Sequence, residues 1–275
     1  MEKSLSRKVT IWIIAVIWLA VTAVPFFFML QSGFKVRGEI LTGSVWALPK
    51  APTLTHFVAI ITGNFPIYLK NSLVVVVGSV AIILIVSSMS SFVFSRIKFR
   101  FRRFLFSTVI AGMAIPIHIT LVPVYLLINF IGIYDSIFAL IGPYVALHIP
   151  LSVFIITEYM RTIPRELEEA ARIDGCNLRG VFFRIILPLS KPSLITVSIF
   201  NAVFIWNEFI FVLVLTTSVT SRTIPLGIWE YQGRYAGNIP AIMAILTLSS
   251  LPMIIAYLIG QERIIKGMVT GALKG

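Results

Sequence analysis

From Val9 to Phe34 the chain carries no charged side chain. The same holds for Asn71–Ser95, Phe104–Tyr134, Ser136–Thr157, Pro192–Asn207 running past Glu208 to Ser221, and Tyr235–Gln261. A helix needs roughly 20 apolar residues to cross the bilayer core, where every backbone N–H and C=O must find its partner within the protein. These stretches predict an all-α membrane protein with six transmembrane helices, at about residues 10–32, 71–95, 104–127, 136–157, 192–215 and 238–260, in a single membrane domain covering 1–275. Composition agrees: the chain is 58% hydrophobic and only 12% charged, about half the charge of an average soluble domain. The first stretch follows Lys3, Arg7 and Lys8 like a signal peptide, but its apolar run is too long and no small-residue cleavage pattern follows, so a retained helix is expected.

Orientation comes from the Lys and Arg residues. The N-terminus and segments 96–103, 158–191 and 262–275 hold 17 of the 23, against 6 in residues 31–70 and 216–239. The positive-inside rule then places both termini in the cytoplasm. Segment 96–103, RIKFRFRR, alternates basic and aromatic residues. Between two spans this reads as a topology signal and lipid-headgroup anchor rather than a nucleic-acid site. The net charge of +12 thus describes a membrane surface. With Cys176 as the one cysteine, an internal disulfide and a CxxC metal or redox site are excluded.

Segment 158–191 departs from this sparing use of charge, with five acids and six bases. It predicts two short helices. Thr162 is placed to cap the first and Pro164 to sit in its first turn. Glu166, Glu168 and Glu169 put negative charge at its positive end, and Gly175 ends it. Leu167, Ala170, Ala171 and Asp174 share one narrow face of small side chains, suited to a groove. After the turn, Leu178, Val181, Phe182, Ile185 and Ile186 form an apolar stripe that packs back on the membrane helices, until Pro188 and Pro192 break the helix. On residues alone, a salt-bridged connector explains the segment as well as a docking element does.

Glu169, Ala170, Ala171, Gly175, Ile185, Leu187 and Pro188 fit without a gap the EAA-x3-G-x9-I-x-LP loop of ABC importer permeases. The longer stretches IPRELEEAARIDGC and FFRIILPLSKP resemble the carbohydrate-uptake branch, in particular the second permease of maltose-type systems. WALPKAPTLTHF, IPIHITLVPVYLLINFIGIYDS, FIWNEFIFVLVLT and the ending QERIIKGMVTGALKG agree, so the resemblance covers nearly everything from about Trp46 onward. It implies a permease subunit in the cytoplasmic (inner) membrane of a bacterium or archaeon, forming a path for a sugar or oligosaccharide. Its implied partners are a second six-span permease, an ATPase dimer that binds ATP and Mg, and an extracytoplasmic solute-binding protein meeting residues 31–70 and 216–239. It also implies that Glu169, Ala170, Ala171, Asp174 and Gly175, with Glu166 and Arg172 nearby, form a coupling helix docked in a cleft of the ATPase. The tail Gly271, Ala272, Leu273, Lys274 and Gly275 either frays or, as the resemblance implies, reaches into the ATPase dimer. The chain has no G-x-x-x-x-G-K-[ST] phosphate loop, so hydrolysis is assigned to the partner.

No residue is assigned a catalytic or metal-ligating role, and no cofactor is expected in this chain. Glu208 is an ionisable group at membrane depth, which is costly unless it faces a partner or a wet cavity. Asn201, Phe204, Glu208 and Phe211 follow helical spacing along one face, with Trp206 and Asn207 beside them. That polar and aromatic set suits a sugar path, while Glu208 pairing with a neighbouring helix to support a gate fits equally. Pro116, Pro123, Pro143 and Pro150 predict kinked or discontinuous third and fourth spans. His118 and His148 read as buried hydrogen-bonders rather than ligands. His148 and Ser152, four apart, suggest an intramembrane hydrolase only weakly, since no nucleophile elbow accompanies them. An ion-gradient-driven secondary transporter fits the composition, but it leaves the EAA loop unexplained and calls for more intramembrane carboxylates than Glu208.

Overall fold

The computed structural model describes residues 2–234 and 237–272, with side chains described in 7–40, 43–234 and 237–258. The helices in chain order are α1 (Glu2–Gly33), α2 (Arg37–Thr42), α3 (Thr55–Ile61), α4 (Phe65–Arg96), α5 (Arg102–Ala111), α6 (Leu121–Phe130) and α7 (Phe138–Arg161). They continue as α8 (Glu166–Ile173), α9 (Leu178–Gly180), α10 (Leu187–Leu189), α11 (Lys191–Asn207), α12 (Ile210–Leu215), α13 (Ile224–Arg234) and α14 (Ile239–Ala272). No strand occurs among the described residues.

Among the described residues, four segments are long and apolar enough to cross a membrane: Arg7–Gly33, Phe65–Arg96, Phe138–Arg161 and Ile239–Leu258. Two further pairs, Arg102–Ala114 with Ile117–Phe130 and Leu178–Leu189 with Lys191–Asn207, bend by 92° and 69° at short breaks, giving up to six spans if each pair counts as one.

The proline expectation splits between the third and fourth segments. After α5 a 3-10 turn at Gly112–Ala114 ends in extended Ile115 and Pro116, and a second 3-10 turn at Ile117–Thr120 leads into α6. Pro116 removes a backbone donor and forces the residue before it out of helical geometry, which accounts for the break. The fourth segment, by contrast, is one continuous helix through both Pro143 and Pro150. Packing against α5 and α11 holds it, and a Cβ at Gly112 would come within 3.1 Å of the Pro150 ring. That close approach fixes α5 on α7.

Contacts divide the chain into two units, residues 1–66 with 227–252, and residues 67–226 with 253–275. In the first unit, the turn after α1 is held by Lys35 Nζ donating to Val45 O at 2.8 Å. Glu39 Oε1 accepts from the N–H groups of Lys50 and Ala51. In the second unit, Ser79, Ser87, Ser91 and Ser95 are buried along α4 at four- and eight-residue steps. Small side chains allow helices to approach closely where lipid offers no hydrophobic drive. Ser91 Oγ donates across to Val153 O of α7 at 3.1 Å.

Candidate functional site

The segment after α7 starts differently from the expectation. Thr162 Oγ1 donates back to Tyr159 O at 2.8 Å, closing α7 instead of capping α8. Arg165 stands at the N-cap of α8 without a side-chain cap. Three acids, Glu166, Glu168 and Glu169, fill the first turn and complement the helix dipole in place of a cap. The C-terminus follows the expectation. Gly175 has φ +83°, and the pair Gly175 N to Arg172 O and Cys176 N to Ala171 O closes α8 as a Schellman motif.

α8 sorts its residues into two faces. Ala171 is buried with Phe92, Ile156, Met160, Ile163, Val181, Phe182, Ile186 and Val197 in one apolar cluster. Glu168 turns the same way: its Oε1 lies 2.9 Å from Arg96 Nε at the end of α4. The same guanidinium donates through Nη2 to Met160 O and, at 2.9 Å, to Ile163 O. One buried arginine therefore fastens α4, the end of α7 and α8 together. The opposite face is open. Glu166, Leu167, Glu169, Ala170, Arg172, Asp174 and Gly175 are exposed, and Ile173 shows 87% of its surface. The face of small residues is thus divided, with Ala171 inside and Leu167, Ala170 and Asp174 outside. Ile173 was not singled out from sequence, although an isolated aliphatic between Arg172 and Asp174 was the available signal.

Beyond α8, Asn177 Oδ1 accepts from Gly180 N at 2.9 Å and starts α9. A π-helical stretch, Val181–Ile186, then leads into α10. Val181, Phe182 and Ile186 are buried as expected, Ile185 is half-buried, and Leu178 is exposed. The helix passes through Pro188 and breaks at Ser190, whose Oγ donates to Ile186 O at 2.7 Å; Pro192 falls in the first turn of α11.

The polar set of the fifth span does not lie along one face, because the helix stops. α11 ends at Asn207, Glu208 is extended, and α12 begins at Ile210. Glu208 Oε1 accepts from Ile210 N at 2.7 Å and Phe211 N at 3.0 Å, restarting the helix, while Oε2 accepts from Tyr144 Oη of α7 at 2.5 Å. Asn201 is buried and donates to Ser152 Oγ at 3.0 Å; Trp206 and Phe211 are also buried. Phe204 and Asn207 are exposed, the latter donating to Val203 O. His148 Nδ1 lies 2.8 Å from Tyr144 O, and Ser152 Oγ donates to His148 O rather than to the ring. That geometry gives Ser152 no general base. His118 lies in the 3-10 turn after the Pro116 break and is exposed there, not buried as expected.

At the other end of this unit, Asp135 pins two loops. It adopts φ +56°, and its Oδ1 accepts from Thr217 N at 2.8 Å and Ser218 N at 2.9 Å. Ser221 Oγ donates to Asp135 O at 2.6 Å, and Asn71 Nδ2 holds Thr220 O and Arg222 O. Burial pushes the Asp135 carboxyl up, but the backbone and side-chain donors of Thr217 and Ser218 outweigh it and lower it from 3.8 to about 2. Of the tail, Leu273, Lys274 and Gly275 lie outside the described residues, and Gly271 and Ala272 are described only as the backbone end of α14.

Residues 83–270 match the family described as binding-protein-dependent transport system inner membrane component. A putative ABC transporter permease protein from Caldicellulosiruptor sp. (strain Rt8B.4) is 57% identical over 264 residues, covering 96% of each chain. The trehalose/maltose transport system permease protein MalG of Thermococcus litoralis is 34% identical over the whole of both chains. A crystal structure of a bacterial ABC transporter involved in the import of alginate superposes with a TM-score of 0.76 at 21% identity, covering 95% of this chain and 98% of that one. An all-helical fold of this kind, carrying the EAA pattern and matching over most of its length, places the chain in the binding-protein-dependent transport system inner membrane component family, as an ABC importer permease.

Proposed function

We propose that this chain forms, with a second six-span permease subunit, the path for a sugar or oligosaccharide, and that α8 is the coupling helix that engages a dimer of partner ATPase subunits. The observation that carries the reading is the two-faced α8: its inner side is fixed to α4 and α7 by Arg96, and its outer side offers Leu167, Ala170 and Ile173 among Glu166, Glu169, Arg172 and Asp174. Small and aliphatic residues permit close seating, and the charges around them set orientation. A rigid-body movement of the ATPase would reach the spans through this helix. The sugar assignment is supported by the trehalose/maltose relative. The Lys and Arg distribution supports a cytoplasmic position for both termini. A solute-binding protein delivers substrate from the opposite side, and ATP with Mg is bound by the partner rather than by this chain. The tail Gly271–Gly275 is assigned to the ATPase interface on the resemblance alone. The contacts of Glu208 with Tyr144 and α12 favour a structural role for it, with Asn201 and Trp206 equally turned inward; Phe204 and Asn207 are left as the members of that set open to a substrate.

The test is affinity copurification of the tagged chain from its native membrane, wild type beside Ala170→Arg. Ala170 suits this better than Gly175, whose positive φ makes any side chain there strained. Loss of an ATPase subunit from the variant, with the second permease retained, is the expected result. A wild-type chain that comes out alone under conditions that preserve complexes overturns the reading and puts a gradient-driven transporter in its place.

A further inference from the structure

A cavity of about 650 Å³ opens where α4 turns into α5, lined by Lys98, Arg100, Arg102 and Arg103, with Arg161 and Phe106. Arg161 is paired with Glu158 and lies over the Phe106 ring at 5.1 Å. The other four cations have no carboxylate partner among the described residues. Arg102 and Arg103 stand in the first turn of α5, where no acidic residue occurs, so the helix dipole adds to their mutual repulsion. A hollow walled by uncompensated like charges is stabilised by an anion inside it. The chemistry of its surroundings identifies the anion further. Phe101 and Phe104, next to the cavity in sequence, are 61% and 69% exposed. Arg100 lies over the Phe101 ring at 5.6 Å, so charge and aromatic surface meet at the cavity edge. A soluble anion leaves the exposed apolar surface uncovered, whereas an amphiphile with an anionic head satisfies both features.

We propose that this cavity holds the phosphate head group of an anionic phospholipid, whose acyl chains run over Phe101 and Phe104. The inference rests on the chain lying in a membrane and not on ATPase coupling, so lipid retention is read separately from uptake.

The experiment is native mass spectrometry of the intact transporter complex, reconstituted in phosphatidylcholine nanodiscs containing increasing phosphatidylglycerol. Wild type retains bound phosphatidylglycerol. Arg102→Gln/Arg103→Gln binds it about thirtyfold more weakly, from roughly 1 kcal/mol for each of two basic residues near a membrane surface. Lys98→Gln/Arg100→Gln lies outside any helix, spares the fold of α5, and shows the same loss. Arg7→Gln/Lys8→Gln, an exposed basic pair elsewhere, lowers retention clearly less than either cavity pair, because it contributes only to the general surface charge. Equal loss in all three pairs reduces the effect to diffuse surface charge and overturns the proposal. So does displacement of the lipid by millimolar inorganic phosphate, which makes the ligand a free anion. Loss of the ATPase from the Arg102/Arg103 variant with lipid retained makes the cluster a protein contact and overturns it as well.

Discussion

Arg96 at the end of α4 and Glu168 in α8 form an ion pair at 2.9 Å, with side chains only 3% and 9% exposed, and the same arginine binds Met160 O in the last turn of α7 and Ile163 O just beyond it. This joint makes the segment around α8 mechanically continuous with two membrane helices. Removing one partner leaves a buried charge uncompensated, so Glu168→Ala lowers stability by about 3–5 kcal/mol. Arg96→Met/Glu168→Leu removes both charges and restores most of that loss. The double variant stays folded but transmits ATP hydrolysis poorly, because the apolar pair lacks the directional bonds to Met160 O and Ile163 O. Thermal unfolding in detergent and uptake in vesicles separate the two effects; a Glu168→Ala protein as stable as wild type removes the joint from the argument.

The two alanines of the EAA pattern behave oppositely. Ala170 is exposed, whereas Ala171 sits in the apolar cluster with Met160 and Ile186. Ala171→Arg buries a charge and unfolds the loop region. Ala170→Arg and Ile173→Asp keep the wild-type stability within about 0.5 kcal/mol, as surface changes do, and abolish ATP-driven uptake. Circular dichroism melts beside transport assays test this, and a folded, active Ile173→Asp protein removes the exposed face as the docking surface.

What the sequence disclosed about the fold and the site depended on how local each cause was. Four unbroken apolar helices follow from the length of apolar runs, and the end of α8 from a glycine able to adopt φ +83°; both causes are local and both were legible, whereas the breaks inside the third and fifth runs were not equally so. Arg96 counted only as one positive charge in a topology signal, because its role arises when three distant segments meet. The break at Glu208 carries no Gly or Pro mark nearby. It is made by a carboxylate that accepts from Ile210 N and Phe211 N and, from another helix, from Tyr144 Oη. Pro143 and Pro150 do not interrupt α7, which stays one helix packed against α5 and α11.

Asp135 gives a pH signature. Its folded carboxyl is lowered to about 2 from 3.8, so the stabilisation it supplies is complete above the unfolded value and is lost as pH falls from about 3.8 through about 2. Asp135→Asn keeps the side-chain shape but loses the charge that Thr217 N and Ser218 N address. It destabilises the two joined loops by about 1 kcal/mol at neutral pH, discounted for the solvent that still reaches them. Hydrogen exchange at residues 216–221 in acid and neutral buffer is the measurement. The wild type loosens in that acid window while the variant is loose throughout; equal protection at both pH values in both proteins contradicts the assignment.

Glu208 and Tyr144 provide the sharpest distinction between a structural carboxylate and a substrate ligand. Glu208→Ala leaves Tyr144 Oη, 1% exposed as a residue, and the first amides of α12 without their acceptor. Each buried donor left unsatisfied costs about 1–3 kcal/mol, so the variant is destabilised by several kcal/mol. Tyr144→Phe removes one of those bonds and leaves Glu208 held by backbone amides, costing about 1–3 kcal/mol. Because the two substitutions share a bond, the double variant is less destabilised than the sum of the singles, with a coupling of about 0.5–3 kcal/mol. Unfolding melts of the four proteins give that coupling, and uptake by Tyr144→Phe at permissive temperature gives the function. If the changes add without coupling and Glu208→Ala keeps wild-type stability while losing only substrate transport, the carboxylate serves the sugar path and not the helix break.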